Sequence, residues 1–291
     1  MTRETLTDVM LDARAAECVK AALREDIGGG DATTLALVDP SAQATGEILA
    51  RQACRVAGAT VAKAVFAAVD PELDVEIAVP DGCDAAKGGA VLTVRGRAAS
   101  ILTAERTALN FMQRLCGIAT LTARFVEAVG EYGTLILDTR KTTPNLRLFE
   151  KYAVLCGGGA NHRFGLYDRI LMKDNHRRLW RGGDPDRLDL AVEAARTAYP
   201  SLAVEVEVES VAECRSALRA RPEWVMLDNM DCEAMRTCVA LCKGISRTEA
   251  SGGITLDRAR EVAATGVDAI SLGCLTHSAG SVDLSLEWRE T

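Results

Sequence analysis

From Thr134 onward the chain alternates short apolar runs with amphipathic stretches at a spacing of roughly 20 residues, and this alternation constrains the fold more than any other feature. The runs near Thr134–Leu137, Arg169–Met172, Leu202–Val208, Trp224–Leu227, Thr248–Ala250 and Asp268–Leu272 predict strands. Between them the spacing predicts helices over Asp186–Ala198, Ser210–Ala220, Asp231–Lys243 and Thr255–Thr265. Ser210 to Glu213 spell a capping box that opens the second of these, and Gly266 closes the last. Each crossover helix returns the chain to start its next strand in the same direction, so such units build a parallel sheet. Six strands fall short of the eight of a closed barrel, and the expectation is an open, incomplete α/β barrel.

The first hundred residues follow another rule. A helix over Leu6–Leu23, a glycine-rich turn from Ile27 to Asp31, and short apolar stretches such as Gly46–Leu49 and Ala90–Val94 read as an α+β domain. Ala104–Val129 then carries Leu109, Met112, Leu115, Ile118, Leu121 and Phe125 at three- and four-residue intervals, a long linking helix. The expected domains are 1–116, the N-terminal α+β domain with the start of this helix, and 117–291, the barrel, whose C-terminal tail is free to return to the first domain.

No apolar run approaches the ~18 residues of a membrane helix. The opening MTRETLTDVMLDARAAE is acidic and periodic, where a signal peptide is basic and then apolar. These features predict a cytoplasmic protein without a membrane partner. Ten cysteines without a C-x-x-C pair suggest reduced thiols. Cys238 and Cys242, four apart on a predicted helix, fit a metal pair or small apolar packing residues, and packing is the commoner use.

Charge is unevenly placed. The whole chain carries −7, whereas residues 138–178 hold nine Lys and Arg against four Asp and Glu, leaving −12 for the rest. A nucleic-acid binder shows a basic domain and a high pI; the pI here is near 5.2 and aromatics make up 4%. A local pocket for a small polyanion fits better than a nucleic-acid surface, with a solvated basic face as the alternative.

Strand side chains alternate, so in Val204–Glu209 the valines take one side and Glu205, Glu207 and Glu209 the other. With the valines under the helices, the glutamates point into the barrel, where a buried carboxylate survives only beside a cation, a metal or hydrogen-bond donors. An edge strand with its glutamates in water is the alternative. Asp228 ends the neighbouring strand, and barrels place their chemistry at strand C-terminal ends. Lys141 and Lys173, at the ends of the first two strands, can compensate these acids or share a polyanionic substrate with them. A metal held by Glu207 and Asp228 together with substrate phosphates would be magnesium. Ser251-Gly252-Gly253 leads a strand into a helix and Gly273 follows the next strand, a suitable phosphate cradle because bare backbone N–H groups and a helix N-terminus face the anion.

GDATT (30–34), ERTALNFMQRLCGIATLT (105–122), the block from Ile136 to His176 that contains DTRKTTPNLRLFEKYAVLCGGGANHRFG, EVEVES (205–210), MLDN (226–229), EASGGIT (249–255) and ISLGCLTH (270–277) together resemble the quinolinate phosphoribosyltransferases. The resemblance implies a dimer whose sites borrow from the partner's N-terminal region. It also implies a reaction in NAD biosynthesis: quinolinate and phosphoribosyl pyrophosphate give nicotinate mononucleotide, pyrophosphate and carbon dioxide, with Mg2+. Arg106, reaching in from the partner, and Arg140 and Arg163 match the family's substrate arginines; His162, Lys141 and Lys173 match further site positions. Ser251, Gly252, Gly253 and Gly273 are then expected to hold the 5′-phosphate. Two departures stand out: Asn145 where the family usually has glycine, and a connection over Leu179–Arg187 that looks long. Two alternatives are a related phosphoribosyltransferase with another acceptor and a non-catalytic binder of phosphorylated ligands, which leaves Glu207 and Asp228 without a purpose.

Overall fold

The computed structural model describes residues 13–181 and 184–289, and the chain forms two compact units. One contains residues up to 123, 141–159 and 274 onward; the other contains 124–140 and 160–273.

In the first unit a helix runs from Ala13 to Ile27; the predicted start at Leu6 lies outside the described residues. The glycine turn ends at Asp31, whose carboxylate accepts from the Thr34 N–H at 3.0 Å and so opens the short helix Ala32–Leu37. Strands β1 (Gln43–Ala50), β2 (Cys54–Arg55), β3 (Asp74–Ile77), β4 (Asp84–Ala85) and β5 (Ala90–Arg97) follow, with a helix over Ala59–Val69 between β2 and β3. β1 and β3 flank β5 in an antiparallel sheet. The linking helix spans Ala98–Val129, starting six residues before the expected Ala104. Its first turn, Ala-Ala-Ser-Ile, reads weakly because it offers a single large apolar residue, yet Ile101 is fully buried and extends the packed stripe.

In the second unit lie β6 (Leu135–Leu137), β7 (Ile170–Met172), β8 (Val204–Val208), β9 (Trp224–Asp228), β10 (Arg247–Ser251) and β11 (Ala269–Ser271), all parallel in the order β6-β11-β10-β9-β8-β7. Strands consecutive in sequence from β7 to β11 are neighbours, and β11 turns back to β6, so the ring is open between β6 and β7. The segment after Gly159 lies along β6: Ala160 pairs with Leu137 and donates to the Ile136 carbonyl at 2.8 Å.

The four expected helices appear as Leu188–Ala198, Val211–Leu218, Cys232–Cys242 and Leu256–Ala263. The capping box is half formed. Ser210 accepts from the Glu213 N–H at 3.2 Å, but the Glu213 carboxylate takes the N–H of Glu209, at 2.9 Å, instead of that of Ser210. Cys238 and Cys242 are buried beside Cys214, whose sulfur lies 3.8 Å from that of Cys242; these are packing residues. Of the connection Leu179–Arg187, Gly182 and Gly183 fall outside the described residues.

The last strand, β12 (Leu284–Trp288), pairs antiparallel with β1, which completes the order β12-β1-β5-β3 of the first unit's sheet. Among the described residues no helix is long and apolar enough to cross a membrane.

Candidate active site

Because the six strands are parallel, their C-terminal ends share one rim. Lys173 follows β7, Glu207 lies near the end of β8, Asp228 ends β9, Ser251 ends β10, and β11 leads into Gly273. From β6 the chain runs directly into Asp138, Thr139 and Arg140. The register sets Glu207 opposite Met226, and Asp228 opposite Ser251. Of the sequence-predicted residues, Arg140, His162, Arg163, Lys173, Glu207, Asp228, Ser251, Gly252, Gly253 and Gly273 therefore belong to one unit, and Arg106 and Lys141 belong to the other.

β8 bears out the alternation of valine and glutamate. Val204, Val206 and Val208 are fully buried, and so is Glu205, while Glu207 is 8% exposed and Glu209 lies in solvent. A carboxylate in such a place needs a counter-charge. For Glu207 it is the ammonium of Lys173, which forms a close ion pair with it. Asp228 accepts from its neighbour, the Asn229 side-chain amide, at 2.8 Å.

That amide is fixed from the other side. Asn229 has φ 52° and its N–H donates to the Ser251 carbonyl at 3.0 Å. A Cβ on Gly252, at φ 94°, would stand 2.2 Å from Asn229 Oδ1. The serine-glycine-glycine corner thus fits against the Asp228–Asn229 strand end because position 252 carries no side chain.

Deeper in the barrel lies a cluster centred on His162. The Asp138 carboxylate, fully buried, accepts the main-chain N–H of His162 at 2.9 Å and so ties this residue to the end of β6. The ring's Nε2 is 2.9 Å from Glu205 of β8 and 3.3 Å from Glu249 of β10, both with zero exposure. Arg169 Nη1 meets the same Glu205 oxygen at 3.2 Å. Burial alone would depress the imidazolium, but the two glutamate carboxylates close to Nε2 outweigh it and raise His162 to about 9. Burial pushes Glu205 up too, yet His162 and Arg169 hold it below the usual carboxylate range. Glu249 is raised, first by burial and then by the charge of Glu205. Beneath the cluster the Trp224 ring is approached by two guanidiniums, those of Arg169 and Arg247, each 5.5 Å from its centroid.

Arg163, 9% exposed, donates to the Arg169 carbonyl at 3.4 Å. Its pKa is lowered by burial and then by the neighbouring charge of Arg140. Two guanidiniums close enough to disfavour one another gain when an anion comes between them.

In the other unit Arg106 is exposed on the helix Ala98–Val129, and Lys141 is exposed with its carbonyl taking the Thr276 hydroxyl at 2.8 Å. The loop that follows Lys141 is anchored by Glu150, fully buried, which accepts from the Thr143 N–H at 3.0 Å and from Arg114 at 2.8 Å.

Sequence reasoning missed Glu249 and Arg169. For Glu249 the available signal was weaker than in β8: in Arg247–Ser251 it shares a strand face with Arg247 and Ser251, opposite Thr248 and Ala250.

The N- and C-terminal domain models of quinolinate phosphoribosyl transferase match residues 31–116 and 118–287. A probable nicotinate-nucleotide pyrophosphorylase [carboxylating] of Bacillus subtilis is 41% identical over 264 residues, covering 90% of this chain and 89% of its own. A mitochondrial quinolinate phosphoribosyltransferase [decarboxylating] of Nicotiana tabacum is 40% identical, over 93% of this chain and 81% of its own. Among solved structures, the nicotinate-nucleotide pyrophosphorylase of Francisella tularensis superposes with a TM-score of 0.88 at 36% identity, covering 95% of this chain and 96% of that one. An open parallel barrel with a charged rim, joined to an antiparallel α+β unit, is the architecture of a barrel phosphoribosyltransferase. Within that class, the chain belongs to the quinolinate phosphoribosyltransferase family.

Proposed function

We propose that this chain transfers the phosphoribosyl group of phosphoribosyl pyrophosphate to quinolinate and releases carbon dioxide, giving nicotinate mononucleotide and pyrophosphate for NAD biosynthesis. Beyond family membership, the observation that carries this reading is the pair of neighbouring arginines, Arg163 buried and Arg140 half-buried, in the same unit as His162. Two adjacent carboxylates on a flat ring call for forked cations in a desolvated place, and guanidinium supplies that geometry where ammonium does not.

In the proposed assignment Arg106 of a partner chain, Arg140, His162 and Arg163 bind the two carboxylates of the acceptor. The 5′-phosphate rests in the corner formed by Ser251, Gly252, Gly253 and Gly273. The ring nitrogen attacks C1′ of the ribose while the bond from C1′ to pyrophosphate breaks, and the electron pair leaves with the pyrophosphate. Positive charge grows on the sugar as it does so, and the carboxylates of Glu207 and Asp228 offer negative potential to that charge and to the ribose hydroxyls. Lys141 and Lys173 neutralise the departing pyrophosphate. The bond to the carboxylate beside the ring nitrogen then breaks; its electron pair stays on the ring carbon next to the cationic nitrogen, carbon dioxide departs, and water supplies the proton.

Glu207 and Asp228 are hard oxygen donors at adjacent strand ends, a donor set that suits Mg2+ bound jointly with substrate phosphates. Its chemistry there would be charge neutralisation on the pyrophosphate.

Purified protein with phosphoribosyl pyrophosphate and Mg2+ is expected to release carbon dioxide and a pyridine mononucleotide from quinolinate, and to leave nicotinate unchanged. Turnover of nicotinate with none of quinolinate would assign the site to another acceptor. Binding without any product would make the chain a ligand-binding protein.

A further inference from the structure

His162 presents its two ring nitrogens to different surroundings. Nε2 faces two carboxylates of zero exposure, at 2.9 and 3.3 Å, and neither is well aligned with the N–H direction. Nδ1 has no hydrogen-bond partner among the described residues. The glutamates come from β8 and β10, separated by β9, so the ring is gripped from two strands, while the N–H bond to Asp138 fixes its backbone from β6. Nothing in glycosyl transfer or in carbon dioxide loss, as assigned above, uses Glu205 or Glu249.

Building on the function proposed above, we propose that Glu205 and Glu249 are positioning residues that hold His162 as an imidazolium with Nε2 turned inward, so that its Nδ1–H and its charge are reserved for a carboxylate of the acceptor. A neutral ring with a bare Nε2 would set its lone pair against carboxylate oxygens at hydrogen-bond distance, whereas a proton on Nε2 turns both contacts attractive. The groups that face the cluster agree with this. Glu205 and Glu249 favour the cation; Arg169, bound to Glu205, competes for one of them; the Ser271 hydroxyl on β11 acts on Glu249; Arg163 and Arg140 add positive charge from the side of the rim. With His162 raised to about 9, the cation persists across neutral pH, when a free histidine has already lost most of its proton. Nε2, Glu205 and Glu249 also bring ligand-type atoms within 4.8 Å of one another, but a protonated Nε2 has no lone pair to give a metal ion.

The protein has three histidines, and His176 and His277 are exposed, so the buried ring can be followed by 15N NMR in the intact protein without substrate. The expected result is a His162 ring with both nitrogens protonated from pH 6 through 8, titrating near 9. A neutral His162 at pH 7.5 overturns the proposal, as does a chelator-sensitive change on adding Mn2+ or Zn2+ that places a metal on Nε2. Neither result depends on which acceptor the enzyme uses.

The kinetic arm compares wild type with Glu249→Gln. With one carboxylate neutralised, His162 should titrate closer to the free value. The KM for quinolinate at pH 8 should then rise on the order of ten-fold and recover toward wild type at pH 6, with the KM for phosphoribosyl pyrophosphate unchanged. In sign, acceptor binding that needs the cation is present at low pH and lost as pH rises, near 9 in wild type and earlier in the variant. A variant profile parallel to that of wild type overturns the proposal even where kcat falls, because a merely structural glutamate would not move the pH dependence. Should Glu249→Gln misfold, the resonance of His162 in wild type remains the deciding measurement.

Discussion

Asn145 shows how a departure from a family's usual residue can be conformationally quiet. It has φ 66°, in the left-handed region that glycine enters freely. For an ordinary side chain that region costs about 1–2 kcal/mol, and asparagine is among the residues that visit it most readily because its short amide bonds locally. The turn feeds Leu146, whose carbonyl accepts the Glu150 N–H at 3.0 Å and so starts the helix Arg147–Cys156. Replacing Asn145 with Gly should therefore change stability by less than about 1 kcal/mol, as the relief of strain offsets the freer unfolded chain. Asn145→Val should cost about 2 kcal/mol, since a β-branched side chain tolerates positive φ least. Urea unfolding of both variants checks this, and equal losses in the two would show that the side chain rather than the backbone matters at this turn.

At the scale of elements, the corner between β10 and the helix Leu256–Ala263 separates two adjacent glycines by their surroundings. Both have positive φ, 94° at Gly252 and 58° at Gly253, but a Cβ at 252 would collide with Asn229 Oδ1 at 2.2 Å, and one at 253 meets nothing within 4 Å. Gly252→Ala must displace Asn229 and with it the amide that holds Asp228, so kcat/KM for phosphoribosyl pyrophosphate should fall on the order of a hundred-fold, against less than about ten-fold for Gly253→Ala. Steady-state kinetics with circular dichroism as a fold control distinguishes them; similar losses in both would mean that backbone strain, not the collision, governs the corner. The elements themselves were legible. Each of the six strands sits within a few residues of its predicted run, because the helix-covered side of a parallel strand must be apolar, as Val204, Val206 and Val208 are. The inward glutamates of β8 were legible from alternation, and so was their need for cations. Which cation serves which glutamate was not, because His162 and Arg169 reach Glu205 from distant points in sequence, and Glu249 meets the same ring from β10, two strands away in the sheet.

At the scale of the whole molecule, the C-terminal tail was expected to be able to return to the first unit, whereas the return through residues 141–159 was the least legible feature, since Lys141–Gly159 reads as a loop-and-helix like any other in a barrel. That division leaves Arg106 and Lys141 in one unit and the other ten predicted site residues in the second. It bears on the proposal that the site borrows Arg106 from a partner chain. Arg106 is exposed, and so are Leu35 and Leu37, at 77% and 80%, in the short helix that begins within the GDATT motif. If the site is shared in this way, Arg106→Ala and Glu207→Gln chains are each inactive alone but complementary when mixed. A hybrid dimer has one site with both defects and one with neither, and random re-pairing of equal amounts makes half the dimers hybrid, so about a quarter of wild-type activity should return. Assay after joint mild unfolding and refolding reads the outcome. Recovery of activity would place Arg106 in a neighbour's site, whereas none, with hybrids present by mass spectrometry, would mean that each chain completes its own.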